Sequence, residues 1–571
     1  MFYPVPQAMA FNDSLLGLAL LAAPVGHLTG NWVLARNVLV LLGFFLSAWW
    51  TYRLALRLGA HPAGAWLAGL LYGFCSFRFH HLTNVKLVFG AFIPLFFLHW
   101  TEFVQKGRAS ALAMAVGIGA LQLVSSFYYG FFLLTLAPLY GLVLAGTELR
   151  TWAPARPGAW AATAGFIGIV ALTLSLGFLL PYWMTGYVFG LQRSLEENTV
   201  WSATPIRYLV SQSRLGFLWT ARWWNAEQVL WPGVLSLLAV LALPGRVPYA
   251  TALWSLTGTA FLLSLGPRTP LFRWAYRVLP YFPAMRYPAR WGALVILGLA
   301  LLAALGVSRA WVRMKPRFRY VALSVLTFVA GLDLWHAPLP AMPFPKPPPI
   351  YRRLQHEMAP GAVAVFPLYS NFREGSTFYA AWIPAHGKPV IGAYAAWAPP
   401  SSEWMRIVLA EFPSPSALWL AQRLDIRYFV FHPASFRRVG AENLWQYYRQ
   451  AIETLPAGWV HRRVQELEDV LLVLNLERIR RDLDVRPPDR WNWASLHPEQ
   501  VQAPASPDAR QAITDGDPTT AWVTRYTEGW HVTVDFGQDV SLQAVRVFTD
   551  PKDKILYLWG SSDGSTWRPV H

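Results

Sequence analysis

Residues 285–319, MRYPARWGALVILGLALLAALGVSRAWVRMKPRFR, decide what kind of protein this is. The middle of the stretch, Trp291–Ser308, carries no charge and approaches the ~20 apolar residues that a helix needs to cross a bilayer. Arg286 and Arg290 precede it. Arg309, Arg313, Lys315, Arg317 and Arg319 follow it in a short link before the next apolar run. A short loop so rich in cations belongs on the cytoplasmic side of a membrane.

Working outward from this span, the same criterion gives ten: Trp32–Leu56, Ala63–Phe77, Val85–Val104, Ser110–Ser126, Phe127–Ala145, Ala159–Tyr182, Trp231–Leu243, Tyr249–Leu265, Trp291–Ser308 and Tyr320–Trp335. The second and seventh are short, and a re-entrant or tilted course is the alternative for them. Alternation from the basic link puts Arg53–His61, Glu102–Arg108 and Glu148–Arg156 inside as well. Met184–Leu230, Gly266–Arg290 and everything after Trp335 fall outside, as does the N-terminus. An outside N-terminus without a charged signal region leads us to expect one more span upstream of Met1.

The whole composition agrees. Of 571 residues, 54% are hydrophobic, 15% aromatic and only 14% charged. Soluble domains carry about 25% charged residues, so a single soluble enzyme is excluded, as is disorder of the bulk. At ~100–200 residues per domain, the length allows three or four units. The net charge of +17 does not mark a nucleic-acid binder, because the Lys and Arg form no single stripe and many flank apolar runs. Cys75 is the one cysteine, which excludes an internal disulfide and a cysteine metal cluster.

The fold expected is a polytopic α-helical membrane domain of about ten spans (1–336), followed by an external α/β domain and a partial β-sandwich. A stiff proline-rich linker, APLPAMPFPKPPP (337–349), joins the first two. In the α/β domain (350–485), Ala362–Pro367, Pro389–Ile391 and Ile426–His432 read as buried strands. Trp404–Phe412 and Pro415–Arg423 read as helices, and Val460–Leu476 as a strand pair. A polar linker (486–506) leads to 507–571, where Trp530–Phe536 and Leu542–Phe548 alternate as strands do.

Several stretches occur in an order that resembles the GT-C superfamily of membrane glycosyltransferases, protein mannosyltransferases among them. They are Phe2-Tyr3-Pro4 with Ala10-Phe11-Asn12-Asp13 and Ala23-Pro24, then Phe77-Arg78-Phe79-His80-His81-Leu82, Ser125-Ser126-Phe127-Tyr128-Tyr129 and Arg193-Ser194-Leu195-Glu196-Glu197. Trp231-Pro232-Gly233, Met285-Arg286-Tyr287-Pro288-Ala289-Arg290-Trp291 and Ile426-Arg427-Tyr428-Phe429-Val430-Phe431-His432 complete the series. The resemblance covers Met1–Glu477. At the C-terminus, Ile513-Thr514-Asp515-Gly516-Asp517, Thr520, Trp522, Trp530-His531-Val532-Thr533-Val534-Asp535-Phe536-Gly537 and Ser561-Ser562-Asp563-Gly564-Ser565-Thr566-Trp567 resemble a discoidin (F5/8 type C) domain. That sandwich needs about twice this length, so a partial domain is expected.

The GT-C resemblance implies inversion at a sugar's anomeric carbon, with a polyprenyl phosphate as leaving group. A carboxylate in the first external loop deprotonates or orients the acceptor hydroxyl. Here that role falls to Asp13, or to an acid upstream of Met1, or to none. The alternative for Asp13 is to cap the helix beginning at Ser14–Leu15. Arg78, His81 and Lys86 are candidates to grip the lipid phosphate, with His80 as a proton relay, or else all four anchor the chain at the interface. Arg286 and Arg290, four residues apart, share a face if helical and are phosphate candidates. Glu196 and Glu197 are candidates for orienting the acceptor or binding a divalent metal, or else form solvated ion pairs with Arg193. The rings and hydroxyls of Ser125–Tyr129 offer either a sugar platform or an aromatic belt.

These readings lead to a membrane glycosyltransferase on the external face of a bacterial inner membrane. Its partners would be membrane lipid, a lipid-linked sugar donor and a glycan, lipid or protein acceptor, with no nucleic acid. Two rivals stand beside it. A transporter of lipid-linked glycan would show mid-span charges or inverted repeats. A non-catalytic, membrane-anchored glycan-binding protein gains from the discoidin resemblance.

Overall fold

The computed structural model describes residues 3–4, 8–148, 157–189, 191–216, 227–242, 247–337, 339, 344–368, 374–392, 396–397 and 399–483, with short strand pairs at 501–502, 533–534, 559–560 and 568–569. It divides into two compact units, Met9–Phe344 and Met1–Ala8 with Pro345–His571. The division falls in the proline-rich connector.

The first unit is a multi-pass membrane bundle. Its helices are α1 (Leu16–Thr29), α2 (Trp32–Arg57), α3 (Pro62–Gly73), α4 (Ser76–His80), α5 (Val85–Val88), α6 (Phe92–Lys106), α7 (Ala109–Ser125) and α8 (Phe127–Glu148). They continue with α9 (Pro157–Leu172), α10 (Leu180–Phe189), α11 (Leu195–Val200), α12 (Ala250–Ser264), α13 (Pro270–Val278), α14 (Gly292–Arg313) and α15 (Pro316–Asp333). Five stretches are long and apolar enough to cross a membrane: Trp32–Arg57, Val85–Lys106, Phe127–Thr147, Pro157–Tyr187 and Pro288–Arg313. The fourth runs through a π-helical segment, Thr173–Leu179. Leu16–Thr29, Ala109–Ser125 and Ala250–Ser264 are shorter apolar helices.

The stretch that opened the sequence analysis becomes the central helix. Nearly every residue of α14 from Gly292 to Ser308 is buried. Its small residues allow close approach. A Cβ at Gly298 would lie 2.0 Å from Thr257 Oγ1, and one at Gly306 2.5 Å from the Leu238 carbonyl. Small residues set backbones close where lipid gives no hydrophobic drive to helix association. On the outside, Leu41, Leu142 and Ile169 are each more than 65% exposed, as residues facing lipid should be.

Two expectations are corrected here. Trp231–Leu243 contains a 3₁₀ helix, Val234–Leu241. At ~2.0 Å per residue it rises about 16 Å, too little for a ~30 Å hydrocarbon core. Its start is fixed by Gly233 at φ +94°, and Asp333 accepts from Trp231 Nε1 at 2.9 Å and Val234 N at 2.7 Å. Ala63–Phe77 is broken: α3 ends at Gly73 and α4 starts at Ser76. The N-terminal stretch holds an apolar helix, α1. It lies along one end of the bundle, since Ser14 bonds Val124 and Asp13 bonds Phe127, while Arg36 in α2 bonds the Leu82 carbonyl.

The bundle has two chemically distinct ends. At one, the α2–α3 turn meets the end of α14: His61 N donates to Ser308 Oγ at 2.7 Å, and the His61 ring stacks on Trp311. Arg53, Arg57 and the 309–319 link lie at this basic end. The other end gathers the C-termini of α3, α7 and α12 and the N-termini of α6, α8 and α14. The expected inner loop Glu148–Arg156 lies largely outside the described residues.

The second unit is an α/β fold around a four-stranded sheet of order β1-β2-β4-β3, comprising β1 (Ala362–Phe366), β2 (Ile426–Phe431), β3 (Val460–Glu466) and β4 (Asp469–Leu474). β1 and β2 are parallel; the other pairs are antiparallel. Strand alternation gives two apolar faces. Ala364, Phe366, Phe429, Phe431 and Leu472 build one core, and Val363, Val365, Tyr428, Val430 and Leu471 the other. Val390 extends the sheet by one bridge to Val363. The edge strand β3 is blunted by exposed His461, Arg462 and Arg463. The discoidin-like stretch and the linker 486–506 lie outside the described residues except for the short strand pairs.

Candidate functional site

The end opposite the basic link holds nearly all the candidate residues, and the head of α8 organises them. Phe127 N donates to Asp13 Oδ1 at 2.9 Å, so the carboxylate sits at the positive end of a long helix. Lys86 Nζ lies 3.0 Å from Asp13 Oδ2. The next residue, Tyr128, accepts from Arg286 N through its hydroxyl at 3.0 Å, and its ring lies 4.5 Å beneath the Arg290 guanidinium. Tyr129 donates to the Leu87 carbonyl at 2.7 Å. The Ser125–Tyr129 stretch is therefore a hub inside the protein, where an aromatic belt was the alternative. Asp13 does not cap α1, whose N-cap is Leu15 without a side-chain bond; its carboxylate instead faces the head of α8 and Lys86.

The arginines before α14 each hold a carboxylate. Arg290 donates from Nε and Nη2 to both oxygens of Glu227 at 2.9 and 2.7 Å. Arg286 lies 2.6 Å from Glu197 Oε1, which also lies 3.3 Å from Arg193. Arg290 is 4% exposed and Arg286 30%, so Arg286 is the more open of the two.

Glu227 was not among the residues singled out by sequence, yet it joins three of them. His81 Nε2 is 3.6 Å from Glu227 Oε2, and His80 Nε2 accepts from Glu227 N at 3.2 Å. Burial alone would push the Glu227 carboxyl up; Arg290 outweighs it and holds the group down at about 2. Burial pushes the His81 imidazole down to about 3 against the pull of Glu227, and lowers His80 as well. His81, 5% exposed and facing Glu227, is directed into the protein. The sequence did carry a signal for Glu227: it is the only acidic residue between Glu197 and Asp333.

Two other assignments change. Arg78 is buried, 1% exposed, and donates to the backbone carbonyls of Tyr72 and Val88. It staples the breaks between α3 and α6 and has no face toward a phosphate. Glu196 is exposed, while Glu197 is committed to arginines. Among the described residues, no group of three or more His, Cys, Asp or Glu is placed to hold a metal ion. Near the end of α7, the Gln122 amide and the Ser126 hydroxyl are fully buried and lack hydrogen-bond partners among the described residues. Such groups ordinarily find partners, since leaving one unmet costs ~1–3 kcal/mol.

No family model matches the chain, and no curated protein matches it. Among solved structures it is similar to the arabinofuranosyltransferase AftD from Mycobacteria, with 17% identity, a TM-score of 0.46 and coverage of 72% of this chain and 30% of that one. A second structure of AftD gives 17% identity, a TM-score of 0.45 and coverage of 72% and 31%. The archaeal oligosaccharyltransferase AglB from Archaeoglobus fulgidus, in complex with an inhibitory peptide and a dolichol-phosphate, gives 14%, 0.34, 76% and 63%. The chain spans less than a third of the length of AftD. These likenesses are too distant to fix its fold or its function.

Proposed function

We propose that this chain is a GT-C-like membrane glycosyltransferase that transfers a sugar from a polyprenyl-phosphate donor to a glycan, lipid or protein acceptor. One observation carries the reading. Asp13, Lys86, Arg286 and Arg290, far apart in sequence, meet around the head of α8 at one end of a membrane bundle. A carboxylate beside cations at a membrane face is what inversion with a phosphate leaving group requires.

In this reading Asp13 takes the proton of the acceptor hydroxyl as its oxygen attacks the anomeric carbon. The bond from that carbon to the phosphate oxygen breaks, and the phosphate leaves with the electron pair. Arg286, the more open cation, meets the phosphate, with Lys86 beside Asp13. Arg290 and Glu227 are a buried pair that shapes the floor. The ordered sequence motifs favour the same superfamily. The positive-inside rule favours the basic link in the cytoplasm, with the site and the C-terminal domains external; we place the chain in a bacterial inner membrane.

The test is transfer from a polyprenyl-phosphate sugar by the purified full chain. Asp13→Asn should lower the rate by about 10²–10⁴-fold, the usual worth of a general base, while the protein still elutes as a folded species. Unchanged transfer by Asp13→Asn would refute the assignment of the base.

A further inference from the structure

The basic end carries charge that the protein itself does not balance. Among the described residues, Arg53, Arg57, Arg309, Arg313, Lys315, Arg317 and Arg319 have no carboxylate within 4.0 Å, whereas Glu102 nearby is taken by Arg108 and Lys106. One guanidinium nitrogen of Arg57 is buried without a hydrogen-bond partner. Next to this charge, the outer faces of α3 and α15 leave an open recess of about 540 Å³, lined by Trp66, Leu323, Ser324, Thr327 and Phe328. Trp66 Nε1 donates to Thr327 Oγ1 at 3.3 Å across it. Trp66 is 49% exposed and Phe328 66%, and both lie on apolar helices of the membrane unit.

Helix geometry ties the recess to the charge. Arg319, Leu323 and Thr327 are four residues apart in α15 and so fall on one face, and Lys315 immediately precedes that helix. Arg319 lies one turn from Leu323 and about 12 Å along the axis from Thr327. Arg319 uses Nε on the Met314 carbonyl at 3.2 Å, and no bond of its terminal nitrogens is seen among the described residues. An apolar recess on a membrane-facing surface, ending one turn from cations without protein partners, matches one molecule: a lipid with a hydrocarbon chain and an anionic headgroup.

We propose that the groove between α3 and α15 seats one anionic phospholipid, its chain against Trp66 and Phe328 and its headgroup on Arg319 and Lys315. This site lies at the end of the bundle opposite the Asp13 cluster and does not depend on the transferase reading. A phospholipid headgroup supplies the anion that the bundle lacks there, and clusters of Lys and Arg beside a span recruit such lipids.

Native mass spectrometry of the purified full chain with added phosphatidylglycerol or phosphatidylcholine tests this. One phosphatidylglycerol should be retained in preference to phosphatidylcholine. The double variant Lys315→Gln/Arg319→Gln should weaken that binding by about 25-fold, roughly fivefold per cation. Ser324→Trp, which keeps every charge but fills the recess, should also lose the bound lipid. Both changes fall on surface positions, and monodisperse elution checks the fold. Equal retention of the two lipids would overturn the proposal, as would phosphatidylglycerol binding at the parent level in either variant. Loss in the charge variant with retention in Ser324→Trp would overturn the groove as the seat.

Discussion

At the site end of the bundle, Arg290 lies 2.7 Å from Glu227, Arg286 2.6 Å from Glu197 and Lys86 3.0 Å from Asp13. At the basic end, Arg309, Arg313, Lys315, Arg317 and Arg319 have no such carboxylate among the described residues. The difference follows from where the charges sit. Arg290 is buried, and a buried cation must be paired or hydrogen-bonded, here by Glu227 as Arg78 is by backbone carbonyls. The cations of the 309–319 link are mostly exposed, where water and lipid headgroups screen them. Only seven carboxylates occur in residues 9–344, and Asp13, Glu196, Glu197 and Glu227 lie at the site end. Acid so scarce in a basic chain is placed where it is needed.

The comparison can be broken most sharply at Glu227. Glu227→Ala leaves Arg290 buried and unpaired, and should destabilise the protein by about 3–5 kcal/mol. A thermal unfolding series in detergent measures this. A loss under 1 kcal/mol would mean that Arg290 reaches water and that the two ends do not differ in kind.

An effect that is smaller per pH unit sharpens the same contrast through pH. The unfolded chain protonates a histidine near 6.5, whereas folded His81 resists until about 3. Between those values the unfolded state binds the extra proton, so stability falls as pH drops from 6.5 toward 3. Its full contribution is present above 6.5. His81→Gln removes that proton, and should flatten the slope of stability against pH in this window by about 1.4 kcal/mol per pH unit. An unchanged slope between pH 6.5 and 4 would place the titration elsewhere, for instance on buried His336, which burial also lowers, to about 4.

The smallest effect is expected at the basic end. Arg53 is exposed and stacks on Trp49 at 5.9 Å from the ring centroid. Arg53→Gln should change stability by no more than about 0.5 kcal/mol. A larger loss in the same unfolding assay would show a protein partner at that end.

The helical bundle was legible because apolar runs of spanning length leave few alternatives. Trp32–Arg57 and Pro288–Arg313 fall within a few residues of the stretches read from sequence. The α/β strands were legible too, since Ala362–Phe366 and Ile426–Phe431 are short, apolar and bounded by turns. Trp231–Leu243, short and open to a re-entrant course by its length, does not run as a full span, because hydropathy reports apolar side chains and not the backbone conformation that carries them. The 3₁₀ segment sets its Leu238 carbonyl against Gly306 of α14 while Leu237 and Val240 stay more than 60% exposed. Arg78 was misread for a related reason: its aromatic neighbours look like a membrane interface, and only the tertiary fold shows the guanidinium bonded to two carbonyls. Glu227 went unmarked because a loop glutamate has no local signature; its partner Arg290 lies 63 positions away. Its isolation in a long stretch without acid was the available clue.

The most direct test of the central claim is binding of a polyprenyl phosphate, without sugar, to the purified full chain, comparing the parent with Arg286→Gln and Arg53→Gln. If the site end holds the lipid phosphate, Arg286→Gln weakens binding by about tenfold or more, as loss of a charge-assisted pair worth ~1.5–3 kcal/mol requires, and Arg53→Gln binds like the parent. Equal binding by the parent and Arg286→Gln, or a loss confined to Arg53→Gln, would contradict the account.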